Sequence, residues 1–594
     1  MSIRAKWIAL MIAVVLMLVG MQVYYGNIGG TSSQSASPET TFDWWIYSGT
    51  SSEYYGNYAE NPAVQYTLRR GWGPEEKGIA LNFLQPPPGS EADNYATMIA
   101  SGDLPDIIDA VICDPARVMV EKGYAIELTD YVEQYMPNYK ALVHSNNEIY
   151  INTVTVDDEG KEHYYNLATV HEGYDTVFQG YMYRRDWIVK YGANPVTGAA
   201  FTGGYTDPND VDSWVDDVVF PSGESDPKYI SDWEWMFEIF TRAQADLGIT
   251  DKYCMSMYYP GFTWSGGLLS CFGGGVNVWY QDADAKVHFG GYEEPFKTYL
   301  ECLNAWYKKG WLDHDFNQRT SDAFYQIDST SVRQGMIGLW CGQQSELGGR
   351  LDMHDGGFTE GIYVKGTPYP INDMYGPDSC KFVEPNCLMG SGLTSGGILV
   401  TPKAKDKDLA AFCSYIDYFY TTEGALIKTL GLNQEQVAEF TENTFYADNG
   451  LSDGAYYIGA DGRYRKSDVL VHDSGQLNTA VGFNKAPGLH LIDSVDLGYA
   501  DSYQASLDTW MKYPNTGFFW GSRTTHAFSQ EDTKTITDIQ SKALEYMTKN
   551  CANFITGKSN FNKDWDKWST VLKKYRVDNI SELLQTYVDK YPFR

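Results

Sequence analysis

The side chains best suited to chemistry in this sequence are its aromatic rings. The 594 residues include 17 Trp and 46 Tyr, and aromatic residues make up 15% of the chain. Flat indole and phenol faces are surfaces on which ring-shaped neutral ligands stack. Two groups are flanked by glycine, YYPGFTWSGG (258–267) and GGGVNVWY (273–280), where core packing explains them less readily than it explains aromatics on helices. The chemistry indicated is binding by ring stacking.

Sequence motifs for catalysis are absent. The chain contains no GxSxG and no HExxH, and the GKS at 557–559 lacks the upstream glycine of a phosphate loop because residue 552 is alanine. The acidic clusters at 157–160 and 282–284 fall short of an EF-hand loop. With 77 Asp and Glu residues, carboxylate pairs at glycosidase spacing arise by chance. We therefore expect no enzyme activity, no cofactor and no metal site, with calcium at the acidic clusters as the alternative that the sequence leaves open.

Chain length and net charge limit the number of lobes and the kinds of partner that this protein can have. A chain of 594 residues exceeds one ordinary core, so two lobes are expected. A formal net charge of -32 repels nucleic acid and anionic membranes, and we expect neither nucleic-acid binding nor stable oligomers. The nine cysteines include no CxxC pair and are typical of scattered buried thiols.

The N-terminus predicts export. Arg4 and Lys6 precede an apolar run at 7–21, which a Gly/Ser/Thr-rich stretch follows. A cleaved signal peptide and an uncleaved anchor both fit, although the run is shorter than the roughly 20 residues of a membrane span. We assign 1–25 to this segment and 26–41 to a linker, which places the body on the outer face of the membrane, anchored or released.

Predicted strands and helices, which must position the aromatic residues, alternate along the chain. FDWWIY (42–47) and IALNFL (79–84) read as strands, and EADNYATMIAS (91–101) reads as a helix that Gly102 and Pro105 end before the strand Ile107–Ile108. Further helices are expected at 130–136, 233–249, 295–310 and 408–420 and through the last 60 residues. The Gly/Pro/Asp/Thr-rich segment 193–232 reads as a surface insertion. Such alternation predicts an α/β fold.

Several stretches closely resemble the sugar-binding family of bacterial extracellular solute-binding proteins of ABC importers. They are ASGDLPDII (100–108), EKGYAIELTDYVEQYMPNY (121–139), YRRDWIVKYG (183–192), YIDYFYTTEGALIKTLGLN (415–433) and the closing segment 553–591. They occur in the expected order over nearly all of the exported chain. One departure is that Met21 stands where many members carry a lipidated cysteine.

The resemblance implies a periplasmic-binding-protein-like fold, in which two α/β lobes close about a hinge over a ligand held between them. We assign 42–170, with part of 320–415, to lobe I, and 171–319 and 416–594 to lobe II. It also implies the function, which is capture of a carbohydrate, more specifically an oligosaccharide, and its delivery to ABC permease subunits in the membrane. The alternatives are a binder of peptide or another solute and a surface carbohydrate-active enzyme.

The resemblance places ligand contacts after the first and third strands. Trp45 and Tyr47 follow the first strand, although strand alternation turns one of Trp44 and Trp45 into the core. Asp109 follows the third strand, where a turn residue or a helix cap is the alternative.

In the second lobe the ligand-binding candidates are aromatic residues in loops and at a strand end. Trp264 and Trp279 lie in the two glycine-flanked groups, Trp340 ends a strand-like run, and Trp520 lies in a glycine-bounded loop with Arg523 close by. Arg185 and Asp186 are candidates for binding ligand hydroxyls, with a structural ion pair as the favoured alternative.

Overall fold

Strands and α-helices alternate in the part of the chain that the computed structural model describes, which is residues 38–47, 54–173, 179–207, 213–256, 268–273, 278–282, 284–318, 334–343, 361–376, 393–471, 476–496, 509–510 and 525–591. The strands are β1 Pro38–Trp45, β2 Gly78–Leu84, β3 Ile107–Asp109, β4 Thr155–Val156, β5 Glu162–His163, β6 Leu167–His171, β7 Gln179–Arg184, β8 Gly203–Tyr205, β9 Trp214–Asp216, β10 Trp279–Gln281, β11 Val287–Phe289, β12 Leu339–Gln343, β13 Val364–Thr367, β14 Thr394–Val400, β15 Tyr456–Ile458, β16 Tyr464–Lys466, β17 Leu489–His490 and β18 Val495–Asp496. The α-helices are α1 Pro62–Thr67, α2 Glu91–Ser101, α3 Ala116–Glu121, α4 Thr129–Tyr135, α5 Pro137–Val143, α6 Asn147–Thr153, α7 Arg185–Tyr191, α8 Ile230–Asp246, α9 Glu294–Lys308, α10 Leu409–Tyr418, α11 Thr422–Leu430, α12 Gln434–Glu439, α13 Phe445–Asp448, α14 Asp468–Val471, α15 Gln476–Ala480, α16 Gln530–Ile555, α17 Phe561–Lys574 and α18 Val577–Val588.

A six-stranded sheet forms the centre of the first lobe. Its strand order is β17-β6-β14-β3-β1-β2. β1 pairs in parallel with β2 and β3, β6 pairs in parallel with β17, and β14 runs antiparallel to β3 and β6. The predicted α/β fold with a largely parallel sheet is therefore confirmed.

The turn from α2 into β3 follows the predicted local chemistry. Gly102 adopts the left-handed conformation with φ of 70° and donates its N–H to Met98 O, which ends the helix. β3 then begins at Ile107, and both isoleucines are fully buried. The sequence thus places Asp109 at the end of a central buried strand.

A second, separate core forms around the three-stranded antiparallel sheet β12-β7-β13. Helices α7, α8 and α9 and the C-terminal helices α16–α18 supply most of the side chains that pack on this sheet. The rings of Trp233 and Trp306 lie nearly parallel in it with centroids 6.5 Å apart, and Trp306 Nε1 donates to Glu234 Oε1 at 2.9 Å. The chain therefore has two α/β lobes, each with its own sheet.

The division of the chain between the lobes differs from the predicted bounds at two places. Strands β12 and β13 belong to the second lobe's sheet, outside the predicted lobe II ranges 171–319 and 416–594. Helices α11–α13 and the buried residues through Ala486 fall within the predicted range 416–594 but pack with the first core. The end of α10 explains this second difference, because Tyr415 and Phe419 pack against the ring of Phe483 in the core of lobe I. From Ala527 onwards the buried residues of the C-terminal helices belong to the second core.

The segment 193–232 is more than a surface insertion. Phe201, Val218 and Phe220 belong to the second core, and the β8–β9 hairpin brings Trp214 into a stack on Tyr363 with ring centroids 4.5 Å apart. The sequence did not predict this packing, because these few apolar residues lie in a segment rich in Gly, Pro, Asp and Thr.

The two lobes contact each other near the C-terminal end of the described chain. Tyr591 Oη and His526 Nε2 both donate to the Val154 carbonyl, at 2.6 and 3.1 Å, and Lys590 Nζ lies 2.8 Å from Asp158 Oδ1. Burial lowers the pKa of His526 to about 4, so the imidazole is neutral at this contact. These bonds link the C-terminal end of the chain, where Tyr591 packs into the first core, to the β4–β5 side of lobe I.

Candidate ligand-binding site

One edge of the six-stranded sheet gathers most of the predicted first-lobe residues. Strands β2, β1, β3, β6 and β17 end there and β14 begins there, and we call it the carboxyl edge. Ligands of open α/β sheets bind outside the carboxyl ends of the strands. The residues at this edge are Trp45, Tyr47, Leu84, Asp109, His171, Thr394 and His490.

Trp45 is held in place by polar and aromatic neighbours. Its Nε1 donates to Asn94 Oδ1 on α2 at 2.8 Å. Its ring lies 5.9 Å from that of Tyr95 and 6.4 Å from that of Tyr47. Trp44, by contrast, is fully buried in the first core, as strand alternation predicts for one of the two.

A cavity of about 520 Å³ opens beside Trp45, where β1 and β2 end. Its size falls within the roughly 300–1,000 Å³ of small-molecule sites. We call it the β2-end pocket, and its lining residues are Trp45, Tyr55, Gly56, Asn57, Phe83, Leu84, Gln85, Pro86, Pro87, Pro88 and Asn94. Rings, prolines and side-chain amides make up this lining, and none of these residues carries a formal charge.

Asp109 lies at the carboxyl edge as predicted, but its carboxylate binds the protein itself. Oδ1 accepts from Trp44 Nε1 at 3.0 Å and Oδ2 accepts from Tyr47 N at 2.9 Å. Burial raises its pKa to about 6, against the lowering effect of these two hydrogen bonds and of Lys485. Asp109 therefore fixes the backbone that follows β1, which is a positioning role.

The opposite end of the carboxyl edge carries two histidines. His171 Nε2 lies 2.8 Å from Ser395 Oγ, and the His171 ring is 5.2 Å from that of His490. Glu172 follows, and its Oε2 accepts from the backbone N–H groups of Ile492 and Ser494 at 3.1 and 2.9 Å. Glu172 thus holds the loop after β17 and, like Asp109, accepts hydrogen bonds from the backbone of the protein itself.

The predicted residues of the second lobe do not converge on one described site. Trp279 is buried in the second core, where its Nε1 donates to Val577 O at 3.2 Å. Trp340 pairs with Met182 across β12 and β7, and its two neighbours on β12 belong to the second core, so it lies on the other face of the sheet. Trp340 is fully buried, and its Nε1 has no hydrogen-bond partner. Trp264, Trp520 and Arg523 lie outside the described residues.

The two arginines at the start of α7 form ion pairs within lobe II. Arg185 donates to both oxygens of Asp216 at 2.9 and 2.6 Å, and Arg184 donates to both oxygens of Asp186 at 2.8 and 2.6 Å. Arg185 is 3% exposed. Among the two readings left open, the structural ion pair is the one observed, although the partner of Arg185 is Asp216 and not its neighbour Asp186.

Solved structures with the same architecture cover nearly the whole chain. The EF-hand mutant of FusA, an S. pneumoniae ABC-transporter substrate-binding protein in complex with fructo-nystose, has 17% identity, a TM-score of 0.59 and coverage of 93% of this chain and 99% of that chain. The alginate-binding protein AlgQ2 without calcium ion has 16% identity, a TM-score of 0.61 and coverage of 94% and 100%. An HMO-binding, ABC-transporter-associated solute-binding protein from Bifidobacterium longum infantis has 12% identity, a TM-score of 0.64 and the same coverage. The chain has the fold of ABC-transporter substrate-binding proteins. No protein-family model and no curated protein matches its sequence.

Within this substrate-binding-protein fold, two residues have contacts that the sequence did not predict. Asn94 lies on a helix and contacts the pocket only because α2 packs beside the end of β1. Trp510 packs against Gly180 on β7, where an added Cβ would come within 2.5 Å of its ring, and its Nε1 donates to Tyr181 O at 3.0 Å. The PPPG turn at 86–89 was the one available signal, since a rigid turn after a strand end commonly borders a site.

The described part of the chain contains no group of three or more His, Cys, Asp or Glu side chains placed to hold a metal ion. None of its helices combines the length and apolarity needed to cross a membrane. The predicted N-terminal segment 1–25 lies outside the described residues.

Proposed function

We propose that the protein is the extracellular substrate-binding subunit of an ABC importer and captures an oligosaccharide between its lobes. The observation that carries the proposal is the uncharged, aromatic and amide-lined pocket at the carboxyl edge of a substrate-binding-protein fold. The similar structures include a fructo-nystose complex, an alginate-binding protein and an HMO-binding protein. The protein acts as a monomer, without catalysis.

The pocket lining matches the two chemical faces of a sugar ring. The C–H face of a ring is apolar and packs on Trp45, Tyr55 and the prolines, while its hydroxyl rim hydrogen-bonds to amides. Asn94 uses its Oδ1 for Trp45, and its Nδ2 makes no hydrogen bond to any described residue, which leaves two N–H donors for ligand hydroxyls.

Closure of lobe II over the carboxyl edge completes the site in our proposal. Trp340 is the lobe II candidate with support, because its indole N–H has no acceptor among the described residues and a buried donor without one is costly. Trp264, Trp279, Trp520 and Arg523 remain predictions. A ligand that contacts both lobes favours the closed state, and the permease subunits recognise that state.

A glycosidase with the same fold is the enzymatic alternative. It would require two carboxylates about 5 to 10 Å apart and free to reach the glycosidic bond. Asp109 and Glu172 lie at the carboxyl edge, but both hold backbone N–H groups of the chain. Binding without turnover is therefore the function that these residues support.

The cellular placement in this proposal rests on the N-terminal sequence. Segment 1–25 exports the chain and either anchors it to the outer face of the membrane or is removed. Mass spectrometry of the mature N-terminus distinguishes the two, because an anchored protein retains Trp7.

A thermal-shift screen tests the proposal directly. The exported body is melted with neutral oligosaccharides and, in parallel, with di- to pentapeptides, and the best ligand is then titrated by calorimetry. We expect stabilisation by an oligosaccharide and no product by chromatography after overnight incubation. Stabilisation by peptides alone would reject the sugar ligand, and cleavage of the bound chain would reject the non-catalytic role.

A pair of tryptophan variants locates the site in the same assay. Trp45→Ala removes the ring that borders the pocket and should weaken binding about tenfold. Trp565→Ala is the matched control, because that ring stacks on Trp568 in the C-terminal helices of lobe II. Equal loss of affinity in both variants would place the ligand elsewhere.

A further inference from the structure

The residues in and around the β2-end pocket indicate the charge of its ligand as well as its chemical class. We propose that it binds one uncharged sugar ring at the end of the captured chain and discriminates against rings that carry a carboxylate or sulfate. This inference rests on the proposed function. It adds the position of the ring along the chain and the charge class of the substrate.

The pocket lies where the binding surface of lobe I ends. β2 is the outermost strand of the six-stranded sheet, and in the described part of the chain no further strand pairs with its free side. The segment 55–57 and the proline turn 86–88 border the pocket there. A chain laid along the carboxyl edge from β17 towards β2 therefore reaches its last lobe I contact in this pocket.

Two carboxylates are fixed at the two turns that border the pocket. Glu60 Oε2 accepts from the N–H of Gly56 at 3.1 Å, and Glu91 Oε1 accepts from the N–H of Gly89 at 3.0 Å. Asp93 is a third carboxylate, adjacent to the pocket residue Asn94. Among the described residues that line the pocket there is no lysine or arginine, and Lys485 exerts its positive charge on Asp109.

The N-terminus of α2 opposes these carboxylates, but its effective charge is smaller than theirs. α2 begins beside the pocket, and the N-terminus of a helix attracts anions with the effect of about half a charge. Its first turn already contains Glu91 and Asp93, which together carry two full negative charges. A ligand anion would therefore meet net repulsion, whereas a neutral ring can still use the apolar lining and the free Asn94 donors.

The charge test compares matched neutral and acidic chains. The probes are gluco-, galacto-, manno- and fructo-oligosaccharides of two to six rings, and the same chains with C6 of a terminal ring oxidised to a carboxylate. For any chain that binds, we expect the acidic form to bind about tenfold more weakly, as for like charges about 6 Å apart at an intermediate dielectric constant. Equal affinity of the two forms would overturn the proposal.

Charge-neutral variants identify the cause of that difference. Glu60→Gln with Glu91→Gln keeps both acceptors for the Gly56 and Gly89 N–H groups and removes both charges. The affinity for the neutral chain should stay within about twofold, and the gap between neutral and acidic chains should shrink to about threefold or less. A gap that persists unchanged would contradict the assignment.

A second pair of variants tests the ring contact itself. Asn94→Asp keeps the acceptor for Trp45 Nε1 but removes both free donors, and it should weaken the neutral chain about three- to tenfold. Thr97→Ala, an exposed change one turn along α2, should leave affinity unchanged. If Asn94→Asp binds as tightly as wild type, the ring does not use this pocket.

These outcomes separate the inference from the function on which it rests. If no neutral or acidic chain raises the melting temperature of the wild type, the proposed function fails and the inference fails with it. If neutral chains bind while the Asn94 or charge variants have no effect, the carbohydrate function stands and the terminal-ring assignment is wrong.

Discussion

Replacing Asp109 with asparagine is expected to change how the stability of lobe I depends on pH. The carboxylate of Asp109 is 4% exposed and accepts one hydrogen bond on each oxygen, from Trp44 Nε1 and Tyr47 N. An asparagine can accept only one of them and presents an N–H to the other donor. That loss costs about 1–3 kcal/mol at every pH.

The pH-dependent part follows from burial. Burial raises the pKa of Asp109 from 3.8 to about 6, so the folded state disfavours the charged form. Such a pKa difference corresponds to about 3 kcal/mol of lost stability above pH 7. The loss is absent when both folded and unfolded forms are protonated, below about pH 4, and it develops as pH rises from about 4 to about 6, above which it is constant. Between pH 7.5 and pH 5 the wild type should recover about 1.4 kcal/mol that the asparagine variant lacks.

Urea unfolding of both proteins at pH 7.5, 6 and 5, followed by the fluorescence of lobe I, measures this difference. Asp417, whose pKa burial also raises to about 6, is present in both proteins and cancels in the comparison. Asp538→Asn makes the same chemical change at an exposed position and is the matched control. The reasoning is refuted if the stability difference between wild type and Asp109→Asn stays constant within about 0.5 kcal/mol from pH 7.5 to 5.

Three further substitutions test packing and polar contacts. Gly180→Ala places a Cβ 2.5 Å from the Trp510 ring and should lower the free energy of unfolding by about 1–3 kcal/mol; an unchanged melting temperature would show that the ring moves aside. Arg185→Lys loses the two parallel bonds to buried Asp216 and should cost about 2–4 kcal/mol in chemical denaturation, and a loss under 1 kcal/mol would argue against the ion pair. Asn61→Asp keeps the cap acceptor of α1 but sets a fully buried carboxylate against the carbonyl oxygens of Ala480 and Gly482, so it should destabilise more than Asn61→Ala by about 1 kcal/mol or more, and the reverse order in the same denaturation assay would contradict these contacts.

Local chemistry in the sequence predicted the elements well. The stretch 97–110 shows this most clearly, because a helix can end in a left-handed glycine and Pro105 cannot restart it. The structure has that glycine at Gly102 and a buried strand at Ile107–Asp109. Predictions of this kind depend on neighbours within a few residues, and those neighbours are visible in the sequence.

Contacts between distant parts of the chain were harder to predict. The sequence placed Asp109 at a strand end, but it could not show that Trp44 and Tyr47 occupy both carboxylate oxygens. A glycine-flanked tryptophan looked like a ligand platform at Trp279, whereas its indole N–H is bound by the carbonyl of Val577, 298 residues away. The prediction placed 416–486 in lobe II instead of lobe I for the same reason.

The sequence by itself determined the α/β alternation and the placement of Trp45, Tyr47 and Asp109 at strand ends, because hydrophobic period, glycine and proline act over short distances. Only the tertiary structure decided which of those residues are available to a ligand. It brings Asn94 and the proline turn beside Trp45 to form a pocket, and it turns the carboxylate of Asp109 inward. The physical reason is that a side chain's hydrogen-bonding capacity is limited, and whether the chain or a ligand uses it depends on partners that only the fold brings into contact.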